Sequence, residues 1–447
     1  MTLSVKLGAW KLTLAAVTAA AIAVTGFATE KATAQEDPIF FPLLVYRTGA
    51  YAPNGIPFAN GARDLLQMLM ARDGGINGVP LEWSECETRY DTATGVECYQ
   101  RLKGEGAKGA AVIVPLSTGI TYAVMDLADE DKIPVHSMGY GRSAAAYGKV
   151  FEWTFNFPTT YWAQATAFIR YIAGEEGGME ALKDKKIGLI YHNSAYGREP
   201  IPVLEKLAEL HGYEFIAYAV DHPGQEQSAT WLSIRRDRPD WLLIWGWGVM
   251  NQVAVNEAVR ANYPMDHFLG VWWSGAEPDV RPAGPAAAGY KAGAFHGIGT
   301  DYGVLQDVLE HVYNGDEAVA RANYWGEVLY NRGLVNYLYI SEAIRTAMGK
   351  YGDVTLGGEE ARWGMENLDL TAERIAEIGA EGLIEPLQVT CEDHEARGPV
   401  FIQQWNGNTW EPITDWIEPM YDVLDPMYEE AALAYAEEQN IEVRDCD

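Results

Sequence analysis

The sequence describes an α/β protein of two doubly wound, parallel-sheet lobes, and three observations carry that reading. From residue 40 onward short β-rich runs alternate with helical patterns, which implies right-handed βαβ units and sheets covered on both faces. The alternation restarts after Phe155-Asn156-Phe157-Pro158 as a second series of similar length. At 447 residues the chain is also long enough for two cores.

The elements follow in order. Phe40–Tyr46 reads as a strand, followed by the loop Gly49-Ala-Tyr-Ala-Pro-Asn-Gly55. Phe58, Ala62, Leu65, Leu66 and Leu69 then recur at helical spacing. Gly74-Gly-Ile-Asn-Gly78 turns the chain into a strand over 79–85, before a helix at 92–103, a strand at 110–114, a helix at 119–128 and a strand at 133–136. In the second series the spacing predicts a helix around Trp162–Ile172, a strand at 186–191 and a helix at 197–211. A strand at 215–220, a helix at 227–236, a strand at 241–245, a helix at 249–262 and strands at 267–272 and 291–296 follow. Leu334–Ile340 is apolar nearly all round, so that helix should be buried. Val400–Trp405 and Thr409–Ile413, joined at Asn406-Gly407, read as a hairpin, and the acidic tail after Pro426 as a surface helix.

Composition excludes whole classes. With 33 Lys+Arg against 63 Asp+Glu, the formal charge is −30, so no basic surface is available to displace counterions from nucleic acid. At 48% hydrophobic and 12% aromatic residues, the chain is too apolar for an acidic disordered protein. Beyond the N-terminus no apolar run is long enough to span a bilayer. That N-terminus has Lys6 and Lys11, an apolar run from Leu12 to Val24 and Ala32-Thr33-Ala34 before Gln35, the order of parts in a signal peptide over residues 1–34. A membrane anchor is the other reading of it. No Cys follows the cleavage site, so a lipoprotein is not expected, and the exported chain should lie in the periplasm.

Four cysteines in an exported chain imply two disulfides, with three possible pairings. Nearest neighbours, Cys86–Cys98 and Cys391–Cys446, are favoured: a strand end beside the following helix bridges easily, and the second pair would staple the tail. A metal site is the weaker alternative, because there is no CxxC, HxH or HxxxH, and neither metal nor cofactor is expected.

In open α/β sheets ligands sit beyond the carboxyl ends of the strands. That rule selects loops carrying Tyr51, Ser117, Thr118, Gly139, Tyr140, Tyr196, Trp245, Trp247, Trp272 and Trp273. Ser117, Thr118 and the amides near Gly119 would hold a carboxylate at a helix N-terminus. The aromatics would stack on a ligand or else pack in the core or between lobes; four indoles at two strand ends each need a partner for the N–H. Arg142 would pair with an anion or is an ordinary surface residue. No GxSxG, HExxH or Walker A sequence occurs, and Gly139-Tyr-Gly-Arg-Ser-Ala144 only imitates a dinucleotide fingerprint.

These loops resemble the periplasmic solute-binding proteins of branched-chain amino-acid ABC importers, over essentially the whole chain after the signal peptide. The resemblance rests on Gly49–Gly55 with Ala59–Ala62, Asp73–Gly78, Tyr90-Asp-Thr, Pro115-Leu-Ser-Thr118, Ile133-Pro-Val135 and Ile187–Gly197. It implies the type I periplasmic binding protein fold, two lobes joined by three crossovers near Phe157, Ala292 and Leu387, with the ligand enclosed on closure. One lobe would then comprise 35–157 and 293–387, the other 158–292 and 388–447 with the C-terminal tail. It also implies carboxylate contacts near Asn54, Thr118 and Gly139–Gly141, and an aromatic contact at Tyr196.

Two departures matter. Where the family places an acid for the ligand's ammonium group, this chain has Trp272-Trp273, and the nearest carboxylate is Glu277. At Gly141 the hydroxyl residue common in the family is missing. An ammonium desolvated without an anionic partner costs several kcal/mol. The expected ligand is therefore an aromatic or short-chain carboxylate; an amino acid is the alternative. The protein is read as a monomeric, non-catalytic binding protein that docks on a membrane permease. A ligand sensor for a receptor and an exported enzyme on the same fold are the other classes.

Overall fold

The structure, a computed structural model, describes residues 36–446, so the expected signal peptide lies outside it. β1 (Ile39–Val45) is buried along its whole length, as an inner strand covered on both faces must be. α1 (Ala52–Asp73) returns the chain to β2 (Leu81–Glu87), which pairs parallel to β1. α2 (Thr92–Leu102) starts where the Asp91 carboxylate accepts the Thr94 amide. The segment expected as a strand at 110–114 lies mid-sheet, with amides donating to Phe40 on one side and Pro134 on the other. α3 (Thr118–Asp131), β3 (Val135–His136) and β4 (Thr154–Phe155) complete the first sheet.

The second series opens with α4 (Tyr161–Glu176), capped by Thr160, and β5 (Lys186–His192). The single helix expected at 197–211 is two, α5 (Ala195–Arg198) and α6 (Ile201–His211), because Pro200 between them has no amide to continue the ladder. β6 (Glu214–Val220), α7 (Ser228–Asp237), β7 (Trp241–Trp245) and α8 (Val249–Ala261) alternate as read. β8 (Phe268–Gly270) ends earlier than the pattern suggested, so Trp272 and Trp273 lie in the turn beyond it. α9 (Glu277–Val280) and β9 (Lys291–Ala294) follow.

The chain then returns to the first sheet through α10 (Gly303–His311), α11 (Glu317–Ala322) and α12 (Val328–Tyr351). α13 (Gly358–Glu366), β10 (Asp369–Leu370), α14 (Ala372–Glu377) and β11 (Leu387–Gln388) come next. β12 (Phe401–Trp405) and β13 (Trp410–Pro412) form the expected hairpin, and α15 (Tyr421–Gln439) ends the fold. The second sheet runs β13-β12-β9-β8-β7-β5-β6, parallel except where β12 pairs with β9 and β13.

Two features hold this frame. α12 is buried from Val328 to Ile344, as its apolar sequence requires, and it crosses α1 so closely that each helix needs a glycine there. A Cβ on Gly61 would lie 1.9 Å from the Tyr330 carbonyl, and one on Gly333 1.9 Å from that of Phe58. Both favoured disulfides form, Cys86–Cys98 and Cys391–Cys446, each with Cα atoms 5.8 Å apart. The second closes a loop of 55 residues and ties down the segment after α15, worth roughly 4 kcal/mol by loop entropy. Among the described residues no helix is long and apolar enough to cross a membrane.

Overpacking a helix crossing typically costs about 1–3 kcal/mol, and here backbone meets backbone, so nothing can swing aside. Gly333→Ala should therefore lower the unfolding free energy by at least that much in urea titration, whereas exposed Gly349→Ala should not lower it.

Candidate ligand-binding site

Where the carboxyl ends of the two sheets face each other, they form a small cavity. The first sheet's side supplies Tyr46 just beyond β1, Tyr90 after β2, Leu116, Ser117 and Thr118 at the start of α3, and Tyr140 after β3. The second supplies Tyr161 in the first turn of α4, Tyr196 in α5, Trp247 after β7 and Trp273 after β8. Strand ends point these loops inward, as the α/β crevice rule requires. Its free volume is about 20 Å³, room for little more than one water molecule, so a ligand is admitted only if the lining moves apart.

No lining residue carries a charge. Burial pushes the hydroxyls of Tyr46, Tyr90, Tyr140, Tyr161 and Tyr196 far above the ordinary tyrosine range, so they remain neutral. Tyr140 Oη accepts the Leu116 amide at 2.8 Å, and Tyr196 Oη donates to the Gly246 carbonyl at 2.8 Å. Ser117 caps α3, and Thr118 Oγ1 accepts the Gly141 amide at 3.2 Å. The positive end of the α3 dipole therefore opens on the cavity. Trp247 contributes an indole N–H with no partner in the protein; the Tyr46 hydroxyl lies close enough to feel it, outside bonding geometry.

Bonds between the two sides hold the cavity shut. Trp272 Nε1 and Trp273 Nε1 both donate to the Gly139 carbonyl, at 2.7 and 3.1 Å. Asn54 Nδ2 donates to Asp279 Oδ1 at 3.0 Å, and Tyr51 Oη reaches His192 and His222. The Glu199 carboxylate accepts the Ser143 amide and hydroxyl and the Tyr122 hydroxyl.

Of the residues singled out by sequence, Ser117, Thr118, Tyr140, Tyr196, Trp247 and Trp273 line the cavity. The others do not. Trp245 is wholly buried against Phe168 and Tyr161, its N–H unpartnered, because it is still in β7 and faces the core. Trp272 lies behind the wall, stacked on Tyr161 and edge-on to Phe295. Tyr51 packs on Tyr90, and Asn54 is spent on Asp279. Arg142 covers the Tyr435 ring at 4.1 Å, away from the cavity. Gly139 and Gly141 have φ of 64° and 82°, and a Cβ at Gly141 would sit 2.8 Å from Ser137 Oγ, which accounts for the missing hydroxyl residue. Glu277 does not reach in: its carboxylate accepts the Val328 amide at the start of α12 and lines an outer groove with Glu327. Burial and then Glu327 push it up to about 7.

Sequence reasoning missed Tyr46, Tyr90 and Tyr161 as lining residues, although Tyr90 belongs to one of the motifs that carried the resemblance. It also missed two buried charges behind the wall. Asp279 is held by Asn54, Asn251 and the Ala276 amide, and burial pushes its carboxyl up to about 6. Arg332 donates to the Trp272 carbonyl and to His296, lies over the Trp273 and Phe295 rings at 4.9 Å, and is pushed down to about 9 by burial.

A family model described as periplasmic binding protein matches residues 38–409. The chain belongs to the periplasmic binding protein family. No curated protein matches. A solved structure described as an ABC transporter permease from the Pseudomonas fluorescens group is 41% identical, with TM-score 0.84, over 92% of this chain and 100% of that one. A branched-chain amino-acid ABC transporter protein from Thermus thermophilus with bound valine is 18% identical, TM-score 0.71, over 89% and 99%. An ABC transporter solute-binding protein from R. palustris in complex with benzoate is 16% identical, TM-score 0.65, over 86% and 97%. The type I fold and the likeness to ABC-transporter binding proteins read from the sequence are borne out.

The Asp279 carboxyl makes a signed prediction. It titrates near 6 when folded and near its ordinary 3.8 when unfolded, so the folded state binds the proton more tightly and loses stability as pH rises between those values. Relative to Asp279→Asn, the wild type should lose up to ~3 kcal/mol between pH 4 and 7 in urea titrations. A constant difference would show that Asp279 is not desolvated.

Proposed function

We propose that the protein is the periplasmic substrate-binding component of an ABC importer and that its ligand is a small organic acid, aromatic or short-chain aliphatic. The observation that carries this reading is the enclosed cavity: seven aromatic side chains, Leu116, Ser117 and Thr118, with no charged group among them. An amino acid's ammonium group would be desolvated there with no anionic partner, at a cost of several kcal/mol. A carboxylate is better served. The N-terminus of α3, the Ser117 and Thr118 hydroxyls and neutral tyrosines offer donors, and Trp247 offers an N–H with no hydrogen bond in the protein that an acceptor on the ligand would satisfy. The benzoate complex of the R. palustris relative is in keeping with this; the valine complex of the Thermus relative marks the alternative.

Contacts from both sides exist only when the lobes are shut, so ligand shifts the equilibrium toward the closed form, which docks on the permease. The hinges of that movement are the crossings near Phe157, Ala292 and Leu387. Export by the N-terminal signal, action as a monomer and the absence of turnover complete the proposal. The lining has no carboxylate, imidazole or thiol to serve as a general base or strong nucleophile.

Calorimetric titration with benzoate, short aliphatic acids, leucine and valine tests the reading. An acid should bind, Trp273→Ala should weaken it by about tenfold or more, and Glu277→Gln should leave it within about threefold. Tight binding of leucine or valine with none of the acids would overturn the ligand class. An unaffected Trp273→Ala variant would overturn the site.

A further inference from the structure

Three residues that do not line the cavity join the two sides at its rim. Tyr51 stands just before α1; His192 ends β5 and His222 lies two residues beyond β6. Tyr51 Oη is 2.9 Å from His192 Nε2 and 2.8 Å from His222 Nδ1, while His192 Nδ1 is 2.7 Å from Ser194 Oγ. The two imidazole rings are 3.8 Å apart, near perpendicular. We propose that Tyr51, His192 and His222 form a proton-sensitive latch that holds the closed lobes together at neutral pH and lets them part in acid. This rests on the proposed closure of the lobes about a ligand and goes beyond it.

Proton counting carries the argument. The phenol has one proton to give, so it donates to one imidazole and accepts from the other. Two neutral imidazoles satisfy that arrangement, and so does one protonated imidazole if the other ring shifts tautomer. Two protonated imidazoles do not: both would donate to Tyr51 Oη, the phenol proton would lose its acceptor, and two cations would stand in contact. The closed latch thus holds at most one added proton, whereas two solvated imidazoles in the open form take two.

The surroundings disfavour even the first. His192 is wholly buried, and burial and then its neighbour push it down to about 3; the exposed His222 is depressed less. Tyr90 stacks on Tyr51 and Tyr196 flanks His192, both neutral. Gly248, the N-cap of α8, abuts Tyr51 and brings the positive end of a helix dipole but no charged side chain. The facing carboxylate is Asp221 beside His222, which pulls that ring upward and is itself bonded to Asn193, in turn a partner of Arg198.

The sign follows. Open-form imidazoles titrate near the ordinary 6.5, closed-form ones lower, so below that pH protons favour the open form. Each proton expelled on closing lowers the closed-to-open ratio by up to about tenfold per pH unit. Asp279 and Glu199, raised by burial between the two sides, act in the opposite sense and are left intact in every variant below.

The test is single-molecule energy transfer between dyes on Glu82→Cys and Glu205→Cys, exposed positions on the two sides, with and without benzoate. From pH 7.5 to 5 the closed-to-open ratio should fall by about tenfold or more in the wild type. The fall should shrink in His222→Gln, a change at the exposed rim, and be lost or reversed in the His192→Gln/His222→Gln double variant, where only the opposing carboxyls Asp279 and Glu199 remain. An equal fall in wild type and His222→Gln, or none in the wild type, would overturn the latch. No closed population at any pH would overturn lobe closure itself, and the latch with it; loss of benzoate binding alone would affect only the ligand assignment.

Discussion

One carbonyl takes the hydrogen bonds of two indoles from across the interface, and the contact between the two sheets is organised around it. Gly139 follows β3 in a left-handed conformation that turns its carbonyl toward the second sheet, where Trp272 and Trp273 both donate to it. A Cβ there would lie 2.9 Å from the Phe295 ring, so glycine is required by space as well as by φ. The indoles arrive together because β8 stops at Gly270 and the chain turns at once. An unpartnered indole N–H in the interior is costly, and the shared carbonyl satisfies both.

The same wall separates charge from ligand. Behind Trp273 lie the Arg332 guanidinium, stacked on the indole face, and the Asp279 carboxylate, held by two asparagines and an amide. Neither faces the cavity, and their shifted titration reflects how little water reaches them. Buried charges of this kind seldom add net stability, but removing one partner leaves the other exposed to the full desolvation cost. They fix the geometry of the wall while the cavity itself stays neutral, aromatic and small.

Much of the fold was legible because alternating strand and helix periods leave few topologies, and Gly74 and Asn406-Gly407 act locally; the break at Pro200, which splits the helix expected at 197–211, was passed over. The site was legible only in part. The carboxyl-end rule found the loops, and with them Ser117, Thr118, Tyr140, Tyr196, Trp247 and Trp273. It could not tell which way a side chain points. Trp245 and Trp247 are two residues apart, yet one is still in the strand facing the core and the other has left it. Tyr46 reads as a strand end and Tyr161 as a helix start, so neither carried a signal of its own. Glu277 was the nearest acid in sequence, but α9 turns it outward to the α12 N-terminus, and the acid that does stand between the two sides, Asp279, lies two residues on. Register in a short helix decided that difference, and spacing alone does not fix it.

The central claim is that the neutral aromatic cavity between the sheets is where ligand binds. Intrinsic fluorescence of the indoles tests it most directly, because Trp247 and Trp273 line the cavity while Trp241 and Trp245 are packed in the core. Titration of the wild type with benzoate or the acid that binds best should change tryptophan emission, and Trp247→Phe with Trp273→Phe should remove most of that change, with Trp241→Phe keeping it. A full emission change in the Trp247→Phe/Trp273→Phe double variant would place the ligand elsewhere and contradict the account.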